Sequence, residues 1–307
     1  SLPGAILIFR KVVCNEMRLI YSKIKYTGGN ETMRAAMIGD NCIDHYTEYV
    51  DRQGNVFHDR KYPTGNVVDT GVNLQKLGMK TSIISTTGSD ANGQWMVNTL
   101  KGEGLDVSHL KVGQGPTAIT YMTLNGNDRV HGDYIVGVLE HIVFDEEDIA
   151  FAAGHDLVHT ALWGNAQDAL PKIRSCSQAV ISFDYADRLD HPLVESTLPY
   201  VDIGFYSYHK QRDEFIEGYL KDKVDRGMKV AVATFGELGS LAYDGRQFVQ
   251  FGVVPAAEVV NTVGAGDSFI AGFLYQYMKG AALEACLKQG ATVASNVVQV
   301  FEPWVTD

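Results

Sequence analysis

Short apolar segments alternate with amphipathic ones along most of this chain, and this alternation limits the fold more than any other feature of the sequence. The strand-like segments, rich in β-branched residues and alanine, are AAMIGD, TSIISTTG, HDLVHTAL, AVISFDYA, VDIGFYS, KVAVATFG and GSLAYDG. Helix-like segments lie between several of them, namely DTGVNLQKLG, ANGQWMVNTLKGEG and RDEFIEGYLKDKVDRG. The pattern predicts an α/β fold with a mostly parallel sheet and helices on both faces.

Two stretches depart from the alternation and have the pattern of β-hairpins. They are HYTEYVDRQGNVFHDRKYPTG and TAITYMTLNGNDRVHGDYIVGV, with turn signals at RQGN and NGND. We expect two hairpins, at about residues 45–63 and 117–138, that form a small second sheet and cover the site as a lid. No linker divides residues 33–307, so these residues are predicted to form one domain.

Net charge and cysteine spacing exclude several classes of partner and site. A formal net charge of -11 repels nucleic acid and anionic membranes, so neither is an expected partner. Cys14, Cys42, Cys176 and Cys286 lack the paired spacing of a zinc or redox site. Unpaired thiols indicate a cytoplasmic protein. No apolar run approaches the length needed to span a bilayer.

The first 32 residues admit two interpretations. They form an extension ahead of Met33, and the first predicted strand follows directly after that methionine. Either Met33 is the natural start of the protein, or the extension is real and packs on the domain. The DNA sequence over codons 28 and 29 would distinguish the two.

The segment VVNTVGAGDSFIAGFLYQYMKG, residues 259–280, carries the strongest functional signal. Gly264, Ala265 and Gly266 leave backbone N–H groups accessible at the predicted start of a helix, whose positive end favours a phosphoryl group. Asp267 would repel that phosphate, so its use there would be as a general base in phosphoryl transfer. The alternative is that Asp267 caps the helix and the glycines form a tight turn.

This segment resembles the DTxGAGD signature of the ribokinase-like (PfkB) carbohydrate kinases. GDNCID, TGNVVDTGVNLQKLG and ATFGELGSLAYDG follow the family's other motifs in order, and the resemblance extends from Met33 to about Trp304. It implies the ribokinase-like three-layer fold, with a mostly parallel central sheet and a small β-sheet lid. By family analogy it also implies a homodimer through the lid and a sugar kinase that uses ATP and Mg²⁺.

The resemblance assigns roles to residues of this chain. Asp267 is the expected base, beside the phosphate-binding backbone of Gly264, Ala265 and Gly266. The expected substrate-binding residues are Asp44, Gly65, Asn66, Asp69, Arg129 and Asp133. The expected nucleotide-binding residues are Thr234, Gly236, Gly239, Ser207 and Asn296.

Several segments are similar to the fructosamine kinase branch of the family, namely GDNCID, NDRVHGDY, LWGNAQDA and NTVGAGDSFIAGF. This implies phosphorylation at O6 of fructoselysine or a related sugar–amino acid conjugate. Arg129 and Asp133 would then bind the zwitterionic tail, together with Trp163 and His159. Alternatively, Arg129 and Asp133 form a solvated cross-strand pair, and Trp163 and His159 are structural residues.

Four positions depart from the family's motifs. The sugar motif GGxxxN has Thr64 in place of one glycine and Asp69 in place of the asparagine, and Asn261 replaces the first aspartate of DTxGAGD. Ser207 stands where the family's NxxE motif begins, and Asp213 or Glu214 could supply its carboxylate only if the local register differs. Dependence on a monovalent cation therefore stays open. So do two other functions: a kinase of a plain sugar or nucleoside, and a catalytically weak sugar-binding regulatory protein.

Overall fold

The computed structural model describes residues 32–50, 56–125 and 128–306, so the expectation for the N-terminal extension falls almost entirely outside the described residues. The strands are β1 (Arg34–Ile38), β2 (Cys42–Val50), β3 (Val56–Thr64), β4 (Lys80–Gly88), β5 (Asp106–Gly113), β6 (Ile119–Asn125), β7 (Asp128–Ile135), β8 (Leu157–Ala161), β9 (Val180–Asp184), β10 (Ile203–Ser207), β11 (Val230–Thr234), β12 (Ser240–Tyr243) and β13 (Phe248–Phe251). The helices are α1 (Asn66–Lys76), α2 (Ala91–Gly102), α3 (Glu146–Ala153), α4 (Leu170–Cys176), α5 (Pro192–Thr197), α6 (Glu214–Asp225), α7 (Ala265–Met278) and α8 (Leu283–Val297).

A nine-stranded sheet forms the centre of the fold, in the order β13-β12-β11-β10-β9-β8-β1-β4-β5. Neighbouring strands from β5 to β11 pair in parallel, and only β12 and β13 at one edge are antiparallel. The central strands are buried along nearly their whole length because both faces of the sheet are covered. The predicted mostly parallel α/β fold is confirmed.

Helices cover both faces of this sheet, and the sheet separates two hydrophobic cores. Helices α1, α2, α7 and α8 pack on one face, where Val72, Phe273 and Leu287 are fully buried. Helices α3 to α6 pack on the other face, around Ile173 and Ile216. The arrangement is a three-layer sandwich whose burial is favourable at roughly 25 cal/mol per Å² of apolar surface.

The two hairpins form a separate four-stranded sheet in the order β3-β2-β6-β7, which we call the lid sheet. Strands β2 and β6 pair in parallel at its centre, and each hairpin pairs antiparallel within itself. The central strands of the two hairpins therefore join them into one unit, as the predicted lid requires.

The lid sheet is attached to the C-terminal part of the chain by a small apolar cluster. Tyr46, Tyr62 and Met122 of the lid sheet pack against Val263 and Phe301. Because Val263 immediately precedes the glycine-rich loop, packing in this cluster links the lid sheet to that loop.

No helix among the described residues is both long enough and apolar enough to cross a bilayer.

Candidate active site

Two helices begin side by side at the carboxyl ends of the parallel strands, where open α/β sheets bind their ligands. Helices α1 and α7 pack against each other, and side chains join their first turns. The Asn66 amide donates to Oδ1 of Asp267 at 3.3 Å, and the Thr70 hydroxyl donates to the Asp267 carbonyl at 3.4 Å. The structure thus brings the expected base and an expected sugar-binding residue together.

The glycine-rich loop turns sharply into α7. Gly264 precedes the helix with a φ of 69°, in the left-handed region that favours glycine. A Cβ on Gly264 would lie 2.7 Å from Cβ of Pro303, whereas a Cβ on Gly266 would meet no atom within 4 Å. Ala265 is half-buried and Gly266 is exposed, so the first N–H groups of α7 are free of side-chain obstruction. This geometry suits an anion at the helix N-terminus.

Burial controls the ionisation of the carboxyl groups near Asp267. Burial is the main cause that raises the pKa of Asp69 well above its usual value, and the Asp267 carboxyl beside it is the second. Burial also raises the pKa of Asp40, whose Oδ2 accepts from the Asn66 backbone N–H at 3.2 Å. Asp44 is buried as well. The site therefore concentrates acidic groups in a region of low water access.

One row of residues crosses the lid sheet beside Asp44. Asp44 lies opposite Tyr62 on β3 and Thr120 on β6, and Thr120 lies opposite Tyr134 on β7. Directly paired residues share a face of a sheet. Tyr134 is 54% exposed, and its partial burial, with Cys42 and Asp40 close by, raises its pKa to about 12. Sequence reasoning missed Thr120 and Tyr134, because only the strand register puts them in line with Asp44.

Asp40 was also missed, although it stands in the quoted segment GDNCID. It follows β1 and binds the first residue of α1 through the Asn66 backbone. Its position at the end of a predicted buried strand was a signal that could have identified it.

Four of the five expected nucleotide residues lie at or just after the ends of two neighbouring strands. Ser207 and Thr234 lie opposite each other as the last residues of β10 and β11. Gly236 follows in an exposed 3₁₀ turn. Gly239 is fixed by packing, because a Cβ there would lie 2.2 Å from the Phe251 carbonyl. Asn296 is exposed near the end of α8.

One departure from the family's motifs, Asn261, and one residue considered for the NxxE carboxylate, Asp213, have structural explanations. Asn261 is buried, its amide donates to the Phe301 carbonyl at 2.8 Å, and its Oδ1 accepts from the Val263 N–H at 3.1 Å. An ionised aspartate could not donate, so the amide suits this position. Asp213 caps α6 by accepting from the Ile216 N–H and from the Tyr208 hydroxyl. Neither side chain needs a bound ion to explain its position.

The remaining candidates lie in different environments. His159 is fully buried in β8, its Nδ1 lies 2.8 Å from the Ser182 hydroxyl, and burial lowers its pKa to about 3. It is therefore a core residue. Trp163 is 56% exposed just after β8, and Asp133 is exposed in β7. Arg129 is in β7 opposite Leu124, but its side chain lies outside what the structure describes.

Comparisons with known proteins agree on one family. Residues 33–303 match the model of the pfkB family carbohydrate kinases. The chain is 37% identical to fructoselysine 6-kinase of Escherichia coli over 269 residues, covering 88% of this chain and 98% of the relative. It is 27% identical to a fructosamine kinase of Bacillus subtilis, covering 88% and 92% of the two chains.

Solved structures show the same fold. A ribokinase of Arabidopsis thaliana, solved with ribose and ATP, superposes with a TM-score of 0.77 at 20% identity, covering 89% of this chain and 94% of that one. A nucleoside kinase of Methanocaldococcus jannaschii superposes with a TM-score of 0.71 at 22% identity, with 90% and 94% covered. With a family model matched along nearly the whole described chain, this protein belongs to the pfkB family of carbohydrate kinases, which transfer a phosphoryl group to an alcohol.

Proposed function

We propose that this carbohydrate kinase transfers the γ-phosphoryl group of ATP to O6 of fructoselysine or a related fructosamine. The observation that carries the proposal is the position of Asp267, in the first turn of α7 and hydrogen-bonded to Asn66 of the sugar motif. The similarity to fructoselysine 6-kinase supports the choice of substrate.

In this proposal each part of the site has one task. Asp267 takes the proton of the attacking hydroxyl, and Asn66 holds the carboxylate in place through its amide. The N–H groups of Gly264, Ala265 and Gly266 bind the transferring phosphoryl group, with the positive end of α7 behind them. ATP supplies the phosphoryl group, and Ser207, Thr234, Gly236, Gly239 and Asn296 are the proposed contacts for the rest of the nucleotide.

Magnesium would enter this site with the nucleotide. Within the described ranges, no group of three or more His, Cys, Asp or Glu side chains is arranged to hold a metal ion. This fits Mg²⁺, which is commonly bound through substrate phosphates and water with few protein ligands. We therefore propose that the ATP phosphates provide most of its ligands.

The sugar would lie between the lid sheet and α1. Asp44, Gly65, Asn66 and Asp69 are its proposed contacts, and Thr120 and Tyr134 extend the same surface across the lid sheet. Arg129 and Asp133 remain proposed contacts for the amino-acid tail. If Asp133 has this role, Asp133→Asn will raise KM for fructoselysine and leave KM for fructose unchanged.

An assay of ADP release tests the substrate. The panel holds fructoselysine, a second fructosamine, fructose, ribose and a nucleoside, each with Mg-ATP. We expect turnover with fructosamines at a kcat/KM at least about tenfold above that for fructose, which is roughly 1.4 kcal/mol of discrimination. Equal turnover of fructose would keep the kinase and reject the fructosamine assignment. No turnover with any acceptor, with ATP still bound, would favour a regulatory protein.

We also propose a homodimer formed through the lid sheet. Strands β3 and β7 are its two edges, and an unpaired edge favours association. Tyr134 and Ile135 on β7 are 54% and 45% exposed. Light scattering should give about twice the chain mass of 33.7 kDa, and Ile135→Asp should halve it. A monomer at micromolar concentration would contradict the proposal.

A further inference from the structure

Thr64 and Asp69, the two departures from the family's sugar motif, contact each other. Thr64 ends β3, Asp69 is in the first turn of α1, and both are buried. The Thr64 hydroxyl donates to Oδ2 of Asp69 at 2.7 Å. The side chain gained at one position is thus the hydrogen-bond partner of the carboxyl gained at the other, so the two changes form one unit.

The second oxygen of Asp69 is buried without a partner. Oδ1 has no hydrogen bond within the described part of the chain, and Asp69 is only 2% exposed. A buried carboxylate oxygen in that state is costly, because desolvation is not offset by a donor. An unsatisfied oxygen at this position is explained if it carries a proton and a ligand supplies its acceptor.

The groups around Asp69 are acidic. Asp267 on α7, Asp44 and Cys42 on β2, and Asp40 between β1 and β2 are close enough to interact with it electrostatically. No lysine or arginine of the described residues forms an ion pair with Asp69. Neighbouring carboxylates in a site of low dielectric cannot all ionise, so at least one of them holds a proton.

Asp69 and Asp267 lie in environments that favour different protonation states. Asp267 is partly exposed, lies at the positive end of a helix and accepts from the Asn66 amide. Asp69 is buried and has one donor, the Thr64 hydroxyl. When two coupled carboxyl groups are placed in such unequal surroundings, the buried one keeps the proton and the other acts as the base.

We infer that Asp69 binds the substrate as a neutral carboxylic acid, in which Oδ2 accepts from Thr64 and Oδ1 donates its proton to a sugar hydroxyl. This inference rests on the proposed function, since it names how the same site holds its sugar. The neutral acid has one donor and one acceptor, as the amide of the family's asparagine does. It requires a substrate with a second hydroxyl oxygen near the one that is phosphorylated. It also leaves Asp267 as the ionised member of the pair.

The expected titration follows from the neighbours of Asp69. Burial and then the Asp267 charge raise its pKa, while the hydrogen bond from Thr64 lowers it. Removing the Asp267 charge with Asp267→Asn should therefore let Asp69 lose its proton at lower pH. Removing the hydroxyl with Thr64→Val should shift the loss to higher pH. The two variants are matched controls, because they move the same titration in opposite directions.

Infrared spectroscopy of the carbonyl stretch of protonated carboxyl groups tests the inference without any catalysis. We expect the wild-type protein at neutral pH to show one protonated carboxyl that Asp69→Asn lacks, with its midpoint lowered in Asp267→Asn and raised in Thr64→Val. Identical spectra for wild type and Asp69→Asn would overturn the inference. So would unshifted midpoints in the other two variants, which remain informative if Asp69→Asn fails to fold.

Kinetics give a second readout. In the wild type, KM for the sugar should rise about tenfold per pH unit above the ionisation of Asp69, because the ionised form has lost its donor. In Asp69→Asn this alkaline rise should be missing. Parallel KM profiles would contradict the inference. If the protein proves inactive on every acceptor, the spectra still decide the state of Asp69, so failure of the proposed function and failure of this inference are distinguishable.

Discussion

Asp267 places an acidic side chain where an anion should bind, and the proposed role as a base would explain this placement. It lies in the first turn of α7 and accepts a hydrogen bond from Asn66, so its carboxyl group is held in a defined orientation. Helix capping alone does not explain the side-chain bond to a second helix. The alternative interpretation of Asp267 as a simple cap is therefore weaker than that of a base.

We expect Asp267→Asn to lower kcat by about 10²- to 10⁴-fold with little change in KM, because the variant keeps the shape and loses the proton acceptor. Steady-state kinetics with Mg-ATP and the best acceptor measure it. Glu284→Gln is the matched control, since it removes an exposed first-turn acid from the next helix, α8. A kcat for Asp267→Asn close to that of Glu284→Gln would exclude the base.

Asp184 gives a prediction about stability. It ends β9, burial raises its pKa to about 6, and its Oδ1 accepts from the Ala186 N–H. The folded protein thus holds a proton that the unfolded chain releases near pH 4, so this carboxyl makes the free energy of unfolding fall as pH rises from about 4 to about 6. Asp184→Asn should remove that loss and stabilise the protein at neutral pH by up to about 3 kcal/mol.

Urea unfolding of the wild type and of Asp184→Asn at several pH values measures this difference. The gain should be largest above about pH 6 and should vanish near pH 4. A gain that does not depend on pH would show that packing, and not ionisation, causes it.

At the scale of elements, the turn into α7 offers two glycines with opposite requirements. Gly264→Ala should lower the free energy of unfolding by about 2 kcal/mol, because its φ of 69° is strained for alanine and its Cβ would press on Pro303. Gly266→Ala is the matched control, since its Cβ meets open space within the helix, where alanine is favoured by up to about 1 kcal/mol. Thermal unfolding of both variants measures the difference, and equal losses would contradict the assigned backbone geometry.

The sequence predicted most elements because burial leaves a pattern. The apolar strands at the sheet centre and the two hairpins were recognised from composition and turn signals. Strands β5 and β13 were missed: β5 is an edge strand with mostly exposed or half-buried residues, and β13 has only four residues, none of them buried. An edge strand has no need of the continuous apolar run on which such a prediction depends.

The candidate site was predictable only in part, for a similar reason. Gly264 to Asp267 were visible because they are contiguous in sequence. The bond between Thr64 and Asp69 crosses a strand–helix junction, and the row that joins Asp44 to Tyr134 depends on pairing between distant strands. The residues of that row are aligned by strand register, which one sequence does not specify.

At the scale of the whole molecule, the lid sheet is held to the C-terminal segment by a charged contact as well as by the apolar cluster. The Arg60 guanidinium of β3 lies 4.0 Å from the Phe301 ring centroid, and its Nη2 donates to Glu302 at 3.0 Å. Because Val263 packs in the same cluster, this contact couples the lid sheet to the loop before α7.

We expect Arg60→Ala to raise KM for the sugar about fivefold to thirtyfold. This corresponds to a loss of about 1–2 kcal/mol in the interaction free energy between the lid sheet and the C-terminal segment. Arg60→Lys should raise KM for the sugar less than Arg60→Ala does, since lysine keeps the charge and loses the planar stacking. Arg246→Ala, in the exposed turn before β13, is the control. An unchanged KM for both Arg60 variants would show that the contact does not hold the substrate surface.

The identity of the product distinguishes phosphoryl transfer to O6 of a fructosamine from every other reaction of this site. Fructoselysine is incubated with the protein and Mg-ATP, and the product is examined by ³¹P–¹H correlation NMR. We predict one phosphomonoester, coupled to the C6 protons, and none with Asp267→Asn over the same time. A phosphate on another carbon would exclude transfer to O6, and ADP formed without a phosphorylated sugar would exclude kinase activity on fructoselysine.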